Sequence, residues 1–173
     1  FIFYKLMNWK IIGYFPGFPK YIVAVVPHTS SLDFFVGLLV RSILKEQINF
    51  LGKKELFTPL TAWFFKSLGG APIDRSGKRG SVEAITEVFD AQDKFRLALA
   101  PEGTRRKVKK LKTGYYHIAK KLKIPIVPVA FDYKNKKVVV HPVFNTTSNE
   151  ERDLNDLEKL FRGVEGFSKA KSF

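Results

Sequence analysis

The sequence predicts an α/β fold: a single domain with a mixed, mostly parallel central sheet flanked by helices. The chain has 173 residues, enough for one domain with a substantial core. Residues 21–26 (YIVAVV) form a continuous β-branched run, typical of a strand buried on both faces. Strand-like segments then alternate with segments whose apolar residues have helical spacing, which indicates a sheet that is at least partly parallel.

Each further element is predicted from its own pattern. Residues 32–44 have apolar side chains at helical spacing, with Arg41 and Lys45 near the end, where the helix dipole favours cations. A helix at 59–68 is ended by the pair Gly69-Gly70. Short apolar runs predict strands at 48–51, 71–74, 95–100, 124–132 and 136–144, and helical spacing predicts helices at 81–91, 115–122 and 150–161.

The chain divides into an N-terminal segment at 1–19, a main domain at 20–162 and a tail at 163–173 that we expect to be frayed. The first segment mixes aromatic residues with scattered lysines, a composition typical of a segment that lies in a membrane interface. It could equally pack as a helix on its own domain. No run of about 18 apolar residues occurs, so no transmembrane helix is predicted. The expected membrane contacts in this segment are Phe3, Trp9 and Phe15.

The composition limits the possible partners. A net charge of +14 suits nucleic acid, anionic lipid or a phosphorylated substrate, and charge alone does not separate these from a merely solvated basic surface. Cations cluster at 105–112, where Lys107 and Lys109 are further candidates for contact with anionic lipid. The absence of cysteine excludes disulfides and thiolate nucleophiles, and the three histidines form no metal-ligand motif, so no metal is predicted.

One candidate for chemistry follows the buried strand, in the sequence PHTSSLD at 27–33. Within one regular helix, residues five apart point about 140° away from each other, so His28 and Asp33 could meet only if His28 lies in the turn before the helix. Asp33 would then fix the histidine tautomer and leave the other ring nitrogen free to accept a proton. The alternative is a capping pattern, in which Asp33 bonds backbone N–H groups at the helix start.

Two more turns follow strands and carry arginine. In PEGTR at 101–105, glycine permits a tight turn and arginine offers a planar fork suited to phosphate, although a charged β-turn is the simpler interpretation. In GAPIDR at 70–75, Arg75 could contact a substrate or pair with Asp74. The sequence lacks a G-x-S-x-G elbow, a G-x-G-x-x-G fingerprint and a P-loop.

Taken together, H-x-x-x-x-D, G-x-x-x-x-R, P-E-G-T-R and a proline-containing apolar strand resemble the glycerophospholipid acyltransferase family, the PlsC-like lysophosphatidic acid acyltransferases. The resemblance covers roughly residues 20–145, and the stretch LKTG at 111–114 is similar to the family's lysine–glycine stretch. The N-terminal hydrophobic helices found in many members are not seen here, and the chain is small for the family.

The resemblance implies a role for each motif. His28 would be the general base and Asp33 its orienting partner. The residues implied to bind the acyl acceptor and its phosphate are Glu102, Gly103, Thr104, Arg105, Arg75 and Lys53.

We therefore expect an O-acyltransferase that moves a fatty acyl group from acyl-CoA or acyl carrier protein to a lysophospholipid hydroxyl. The expected acceptor is 1-acylglycerol-3-phosphate, and the expected product is phosphatidic acid. No cofactor and no nucleic acid are expected. The expected location is the cytoplasmic face of the cell membrane, on a surface containing anionic lipid. The alternatives are the same chemistry on another lysolipid, such as an amino-acid lysolipid or a remodelling substrate, and a non-catalytic basic module that binds nucleic acid or anionic lipid.

Overall fold

The computed structural model describes residues 8–73 and 81–173, apart from the side chains of Lys53, Leu56 and Ser81. Within these residues the chain forms an α/β unit in which helices flank a seven-stranded mixed sheet, and this confirms the predicted fold class. The strands are β1 (Lys10–Ile12), β2 (Lys20–Val26), β3 (Asn49–Lys53), β4 (Gly70–Ile73), β5 (Phe95–Leu99), β6 (Ile126–Asp132) and β7 (Lys137–Val140). The helices are α1 (Leu32–Ile43), α2 (Ala62–Ser67), α3 (Ser81–Asp90), α4 (Gly114–Leu122) and α5 (Glu150–Lys159), with short 3-10 helices at Lys54–Leu56 and Lys169–Lys171.

The strand order is β1-β7-β6-β2-β5-β3-β4. Every neighbouring pair in the described sheet is parallel except β6 and β7, which form an antiparallel pair. Strand β2 lies between β5 and β6, so the carboxyl ends of three parallel strands meet near the middle of the sheet. In open α/β sheets this edge is where ligands bind.

Strand β2 is buried on both faces, as its β-branched run predicts. Ile22 and Ala24 belong to a core cluster shared with α3, α4 and α5, whereas Tyr21 and Val23 belong to a second cluster shared with α1. The period of two along the strand therefore assigns its side chains alternately to two cores. The sheet is covered by α3, α4 and α5 on one face and by α1 on the other.

The N-terminal segment differs from the expectation. Trp9 and Phe15 were expected at a membrane, but their side chains are only 5% and 9% exposed, so that expectation is wrong for both. The physical reason is β1, which pairs with β7 and brings the segment onto the sheet. Trp9 packs edge-on against Tyr133 with ring centroids 4.7 Å apart, and Phe15 stacks on Tyr21.

The C-terminal residues 163–173 also differ from the frayed tail that we expected. The hydroxyl of Ser172, a buried residue, accepts a hydrogen bond from the Gly166 N–H at 2.9 Å. The Ser168 N–H donates to Thr29 Oγ1 at 3.1 Å, which ties this segment to the loop before α1. Specific hydrogen bonds thus hold the segment against the domain.

None of the helices in the described part of the chain is long and apolar enough to cross a bilayer.

Candidate active site

Three neighbouring strands end at the candidate site. Strand β2 pairs with β5 up to Ala24 opposite Leu99, and with β6 up to Val26 opposite Ala130. Each strand is followed within a few residues by a polar side chain of the site: His28 after β2, Glu102 after β5 and Tyr133 after β6. The parallel topology therefore gathers side chains that are far apart in the sequence.

His28 and Asp33 are in contact. The distance from His28 Nδ1 to Asp33 Oδ2 is 3.2 Å; the histidine side chain is 26% exposed and the aspartate 2% exposed. His28 lies in the turn before α1, and Asp33 lies in its first turn, which is the arrangement that the spacing requires. An ionised Asp33 holds the proton on Nδ1, so Nε2 carries the lone pair that can accept a proton.

Asp33 also bonds the backbone at the start of α1. Its Oδ2 accepts hydrogen bonds from the N–H groups of Thr29 at 2.8 Å and Ser30 at 2.9 Å. The orienting role and the capping role, which the sequence left as alternatives, are therefore fulfilled by one carboxylate. The tyrosine hydroxyl of Tyr133 donates to the other oxygen, Oδ1, at 2.6 Å.

These contacts keep Asp33 ionised. Burial alone would raise the pKa of Asp33, but hydrogen bonds from His28, Tyr133 and the Ser30 backbone together lower the pKa below its ordinary value. Burial and the bond to Asp33 raise the pKa of Tyr133, so its hydroxyl remains a donor. Sequence reasoning missed Tyr133, because it follows a strand without belonging to any of the motifs.

Glu102 is buried beside the backbone of His28. Its side chain is only 1% exposed, and its Oε2 accepts a hydrogen bond from the His28 backbone N–H at 2.5 Å. Burial raises the pKa of Glu102, more than the His28 N–H lowers it. Within the described residues, its Oε1 is buried and has no hydrogen-bond partner. Glu102 thus positions the His28 backbone in this structure, a contact that the predicted acceptor-binding role did not include.

The rest of the EGTR turn is at the surface. Gly103 has a φ of +63°, a left-handed conformation that suits glycine. A Cβ at this position would lie 2.7 Å from Lys112 Nζ, so the Lys112 side chain runs directly over the turn. The Thr104 hydroxyl accepts the Arg106 N–H at 3.3 Å, and Arg105 is exposed. Arg105 and Lys112 therefore place two cations on the turn that carries Glu102.

An apolar cavity of about 300 Å³ adjoins His28 and Asp33. It lies between α1 and strands β2, β3, β5 and β6, on the α1 face of the sheet. Its walls are mostly apolar, among them Val25, Leu38, Phe50, Leu99 and Phe131, and Arg41 and Asn49 also line it. A cavity of this chemistry suits an alkyl chain, with the reacting end of the chain next to the imidazole.

Some predicted site residues are not tested by the structure. Phe3 and Arg75 lie outside the described residues, and the side chain of Lys53 is not among those described. Lys107 and Lys109 are exposed, as a membrane contact requires, but exposure alone does not assign a partner. Among the described residues, no group of three or more His, Asp or Glu side chains could hold a metal ion.

Comparison with known proteins gives a consistent result. The family model named Acyltransferase matches residues 18–132 of the chain. The 1-acyl-sn-glycerol-3-phosphate acyltransferase of Saccharomyces cerevisiae is 31% identical over 150 residues, which cover 80% of this chain and 48% of the yeast protein. The proteins of the same name from Cocos nucifera and Escherichia coli are 34% and 31% identical over 112 and 129 residues, or 62% and 71% of this chain and 36% and 51% of those proteins. The chain thus spans about half the length of these relatives or less.

Proposed function

The chain belongs to the acyltransferase family, and on this premise we propose that it transfers a fatty acyl group from a thioester to the hydroxyl of a lysophospholipid. The observation that carries the proposal is the His28–Asp33 pair at the wall of an apolar cavity. A base beside an alkyl-shaped space is what acyl transfer between a thioester and an alcohol needs.

In the proposed mechanism, His28 Nε2 removes the proton from the acceptor hydroxyl as its oxygen attacks the thioester carbonyl carbon. A C–O bond forms, and the tetrahedral intermediate then expels the thiolate as the C–S bond breaks. The imidazolium returns its proton to the thiolate, and Asp33 stabilises the imidazolium in the interval. A positioned base of this kind contributes roughly 10²- to 10⁴-fold to the rate.

The proposed acceptor is 1-acylglycerol-3-phosphate, which gives phosphatidic acid as the product. Three curated relatives carry the name of that activity, at about one-third identity. Two cations are suited to a headgroup phosphate: Arg105 belongs to the EGTR turn, and the Lys112 side chain lies over it. The donor is acyl-CoA or acyl carrier protein, whose thioesters present the same carbonyl to His28.

The experiment measures release of free thiol from long-chain acyl-CoA, with and without lysophosphatidic acid in mixed micelles. Wild type is compared with His28→Ala, and His117→Ala serves as a matched control because His117 is an exposed histidine on α4 that faces Glu150. We expect acceptor-dependent release that falls by at least about 10²-fold in His28→Ala and is unchanged in His117→Ala.

Other outcomes would change the proposal in defined ways. If free thiol were released only with a different lysolipid, that lysolipid would replace lysophosphatidic acid as the proposed acceptor. If it were released only from acyl carrier protein, acyl carrier protein would be the donor. If a folded His28→Ala variant were as active as wild type, the role of His28 would be wrong. If no acceptor or donor supported release, the chain would be left as a basic binding module.

A further inference from the structure

Seven aromatic rings form a ridge of two groups, one extending from α1 and the other from α2. Successive ring centroids lie 5.1 to 6.0 Å apart on each side of Gly70. The two halves meet at Gly70, where a Cβ would stand 3.0 Å from the Phe50 ring and 3.1 Å from the Phe57 ring. The members of this aromatic ridge are Phe34, Phe35, Phe50, Phe57, Trp63, Phe64 and Phe65.

Much of the ridge faces solvent. Trp63 is 70% exposed, Phe35 59% and Phe64 47%, and Leu60 at the start of the same segment is 85% exposed. Helix α2 has no buried residue, so the domain leaves its apolar side chains at least partly uncovered. Scattered exposed apolar residues are ordinary, but a connected group of large ones marks a surface that meets another apolar phase.

Two lysines accompany the ridge. Lys54 and Lys66 are both exposed and line a cavity of about 400 Å³ together with Phe57, Ala62 and Pro72. From residue 56 to residue 73 the sequence contains no Asp or Glu. Aromatic side chains with lysines beside them, in a stretch that carries no carboxylate between Glu55 and Asp74, match an interface with anionic headgroups above and acyl chains below.

The ridge is also continuous with the apolar cavity beside His28. Phe34 and Phe50 line that cavity and are members of the ridge. An alkyl chain could therefore pass from a bilayer against the ridge into the cavity without crossing a polar surface. A docked protein would be expected to need partners for hydrogen bonding as well, whereas the ridge offers apolar area and charge.

We propose that this face, formed by the aromatic ridge with Leu60, Lys54 and Lys66, docks on an anionic lipid bilayer. This inference rests on the proposed function, because docking would serve to bring membrane lipid to the cavity. This face replaces the N-terminal segment that the sequence suggested as the membrane contact, since Trp9 and Phe15 of that segment are buried.

The test is sedimentation of the protein with phosphatidylcholine vesicles, with and without phosphatidylglycerol. The double variant Leu60→Ser/Trp63→Ser removes two of the most exposed apolar side chains on the docking face. The matched control is Tyr14→Ser/Phe18→Ser, which removes aromatic residues that are 83% and 49% exposed in the N-terminal region. Circular dichroism and thermal unfolding establish that both variants are folded.

We expect the ridge variant to lose about tenfold or more in affinity for anionic vesicles, because it loses two apolar side chains that the bilayer would bury. The control should bind as wild type does. Lys66→Gln should bind anionic vesicles about fivefold more weakly and neutral vesicles unchanged. Binding of the ridge variant to anionic vesicles as tightly as wild type, loss of binding in the control variant instead, or no binding by the wild-type protein would each overturn the proposal. The last result would mean that another segment or a protein partner covers the ridge.

Thiol release separates this inference from the proposed function. In vesicles, the ridge variant should lose activity, whereas in mixed micelles, where docking is not needed, it should retain wild-type activity. Equal loss in micelles and vesicles would show that the ridge serves the reaction itself and would overturn the docking role. Vesicle binding that depends on the ridge, in a protein without activity in either medium, would support the docking surface and contradict the proposed function.

Discussion

The hydroxyl of Tyr133 is the component of the site best suited to a single-atom test. Tyr133→Phe deletes the donor that lies 2.6 Å from Asp33 Oδ1 but keeps the ring that packs against Trp9 and Phe167. A hydrogen bond to a charged group contributes about 1.5–3 kcal/mol. Asp33 keeps its bonds from His28, Thr29 and Ser30, so we expect the free energy of unfolding to fall by about 2 kcal/mol at neutral pH.

This loss should depend on pH in a definite direction. The folded-state pKa of Asp33 is lowered, so the stability that its hydrogen bonds contribute is present above the ordinary pKa of aspartate and is lost as the pH falls through the lowered pKa. The variant lacks one of the donors that lower this pKa. The difference between wild type and Tyr133→Phe should therefore be largest at neutral pH and should shrink below a pH of about 4.

The assay is denaturant unfolding of both proteins across that pH range, together with thiol release. If about half of the lost energy, roughly 1 kcal/mol, is felt in the transition state, turnover falls about fivefold. Tyr116→Phe is the matched control, because the Tyr116 hydroxyl donates to buried Asp153 at 2.8 Å, away from the site. Hydrogen bonds from Thr147 and Tyr116 lower the pKa of Asp153 although burial acts to raise it, so the control should show a similar pH-dependent loss of stability with unchanged turnover.

Two results would refute the reasoning. A stability difference for Tyr133→Phe that stays constant into the acid range would show that the tyrosine acts through packing and not through the Asp33 carboxylate. Equal turnover in Tyr133→Phe and wild type would show that this bond does not orient His28.

Two further predictions concern glycines. Gly37 lines the apolar cavity, and a Cβ there would meet only Phe131 at 3.9 Å, so the leucine side chain of Gly37→Leu should project into the cavity. We expect kcat/KM for long-chain acyl-CoA to fall about tenfold relative to kcat/KM for short-chain acyl-CoA, and the stability of helix α1 to rise by up to about 1 kcal/mol. An unchanged chain-length profile would contradict an acyl chain in this cavity. Gly103→Ala should cost about 1 kcal/mol for the left-handed backbone and should displace Lys112, which raises KM for lysophosphatidic acid. Gly163→Ala is the matched control, because Gly163 has a φ of +79° and a Cβ there would meet no atom within 4 Å. This control should lose the same stability without a change in KM. An equal KM in both variants would exclude Lys112 from acceptor binding.

The fold was predictable where the pattern was local. The β-branched run of β2 and the helical spacing of α1 each specify an element without reference to the rest of the chain, and both occur within a residue of the predicted bounds. The contact between His28 and Asp33 was predictable for the same reason, since only the turn before a helix allows that spacing.

Features that depend on contacts between distant segments were not predictable. The N-terminal residues resemble an interfacial segment in composition, as do residues 57–68, because both mix aromatic residues with lysine. What distinguishes them is that β1 pairs with β7, at Lys10 opposite Lys137, and draws Trp9 into the core. No pattern within either segment encodes that pairing, so the sequence placed the membrane contact on residues that fold inward.

The same limit explains why Tyr133 was missed and why the contact of Glu102 with the His28 backbone was not predicted, although the motifs were found. A motif records which residue types occur together, whereas the roles of these two side chains depend on which strands are neighbours. Because β2 lies between β5 and β6, the residues after β5 and β6 approach the turn after β2 from both sides, and they hold different parts of it. Glu102 holds the backbone of His28, and Tyr133 holds the carboxylate that orients its ring. The position of the imidazole is therefore set by three strands at once, and a change in the pairing of any of them would move the base away from the cavity.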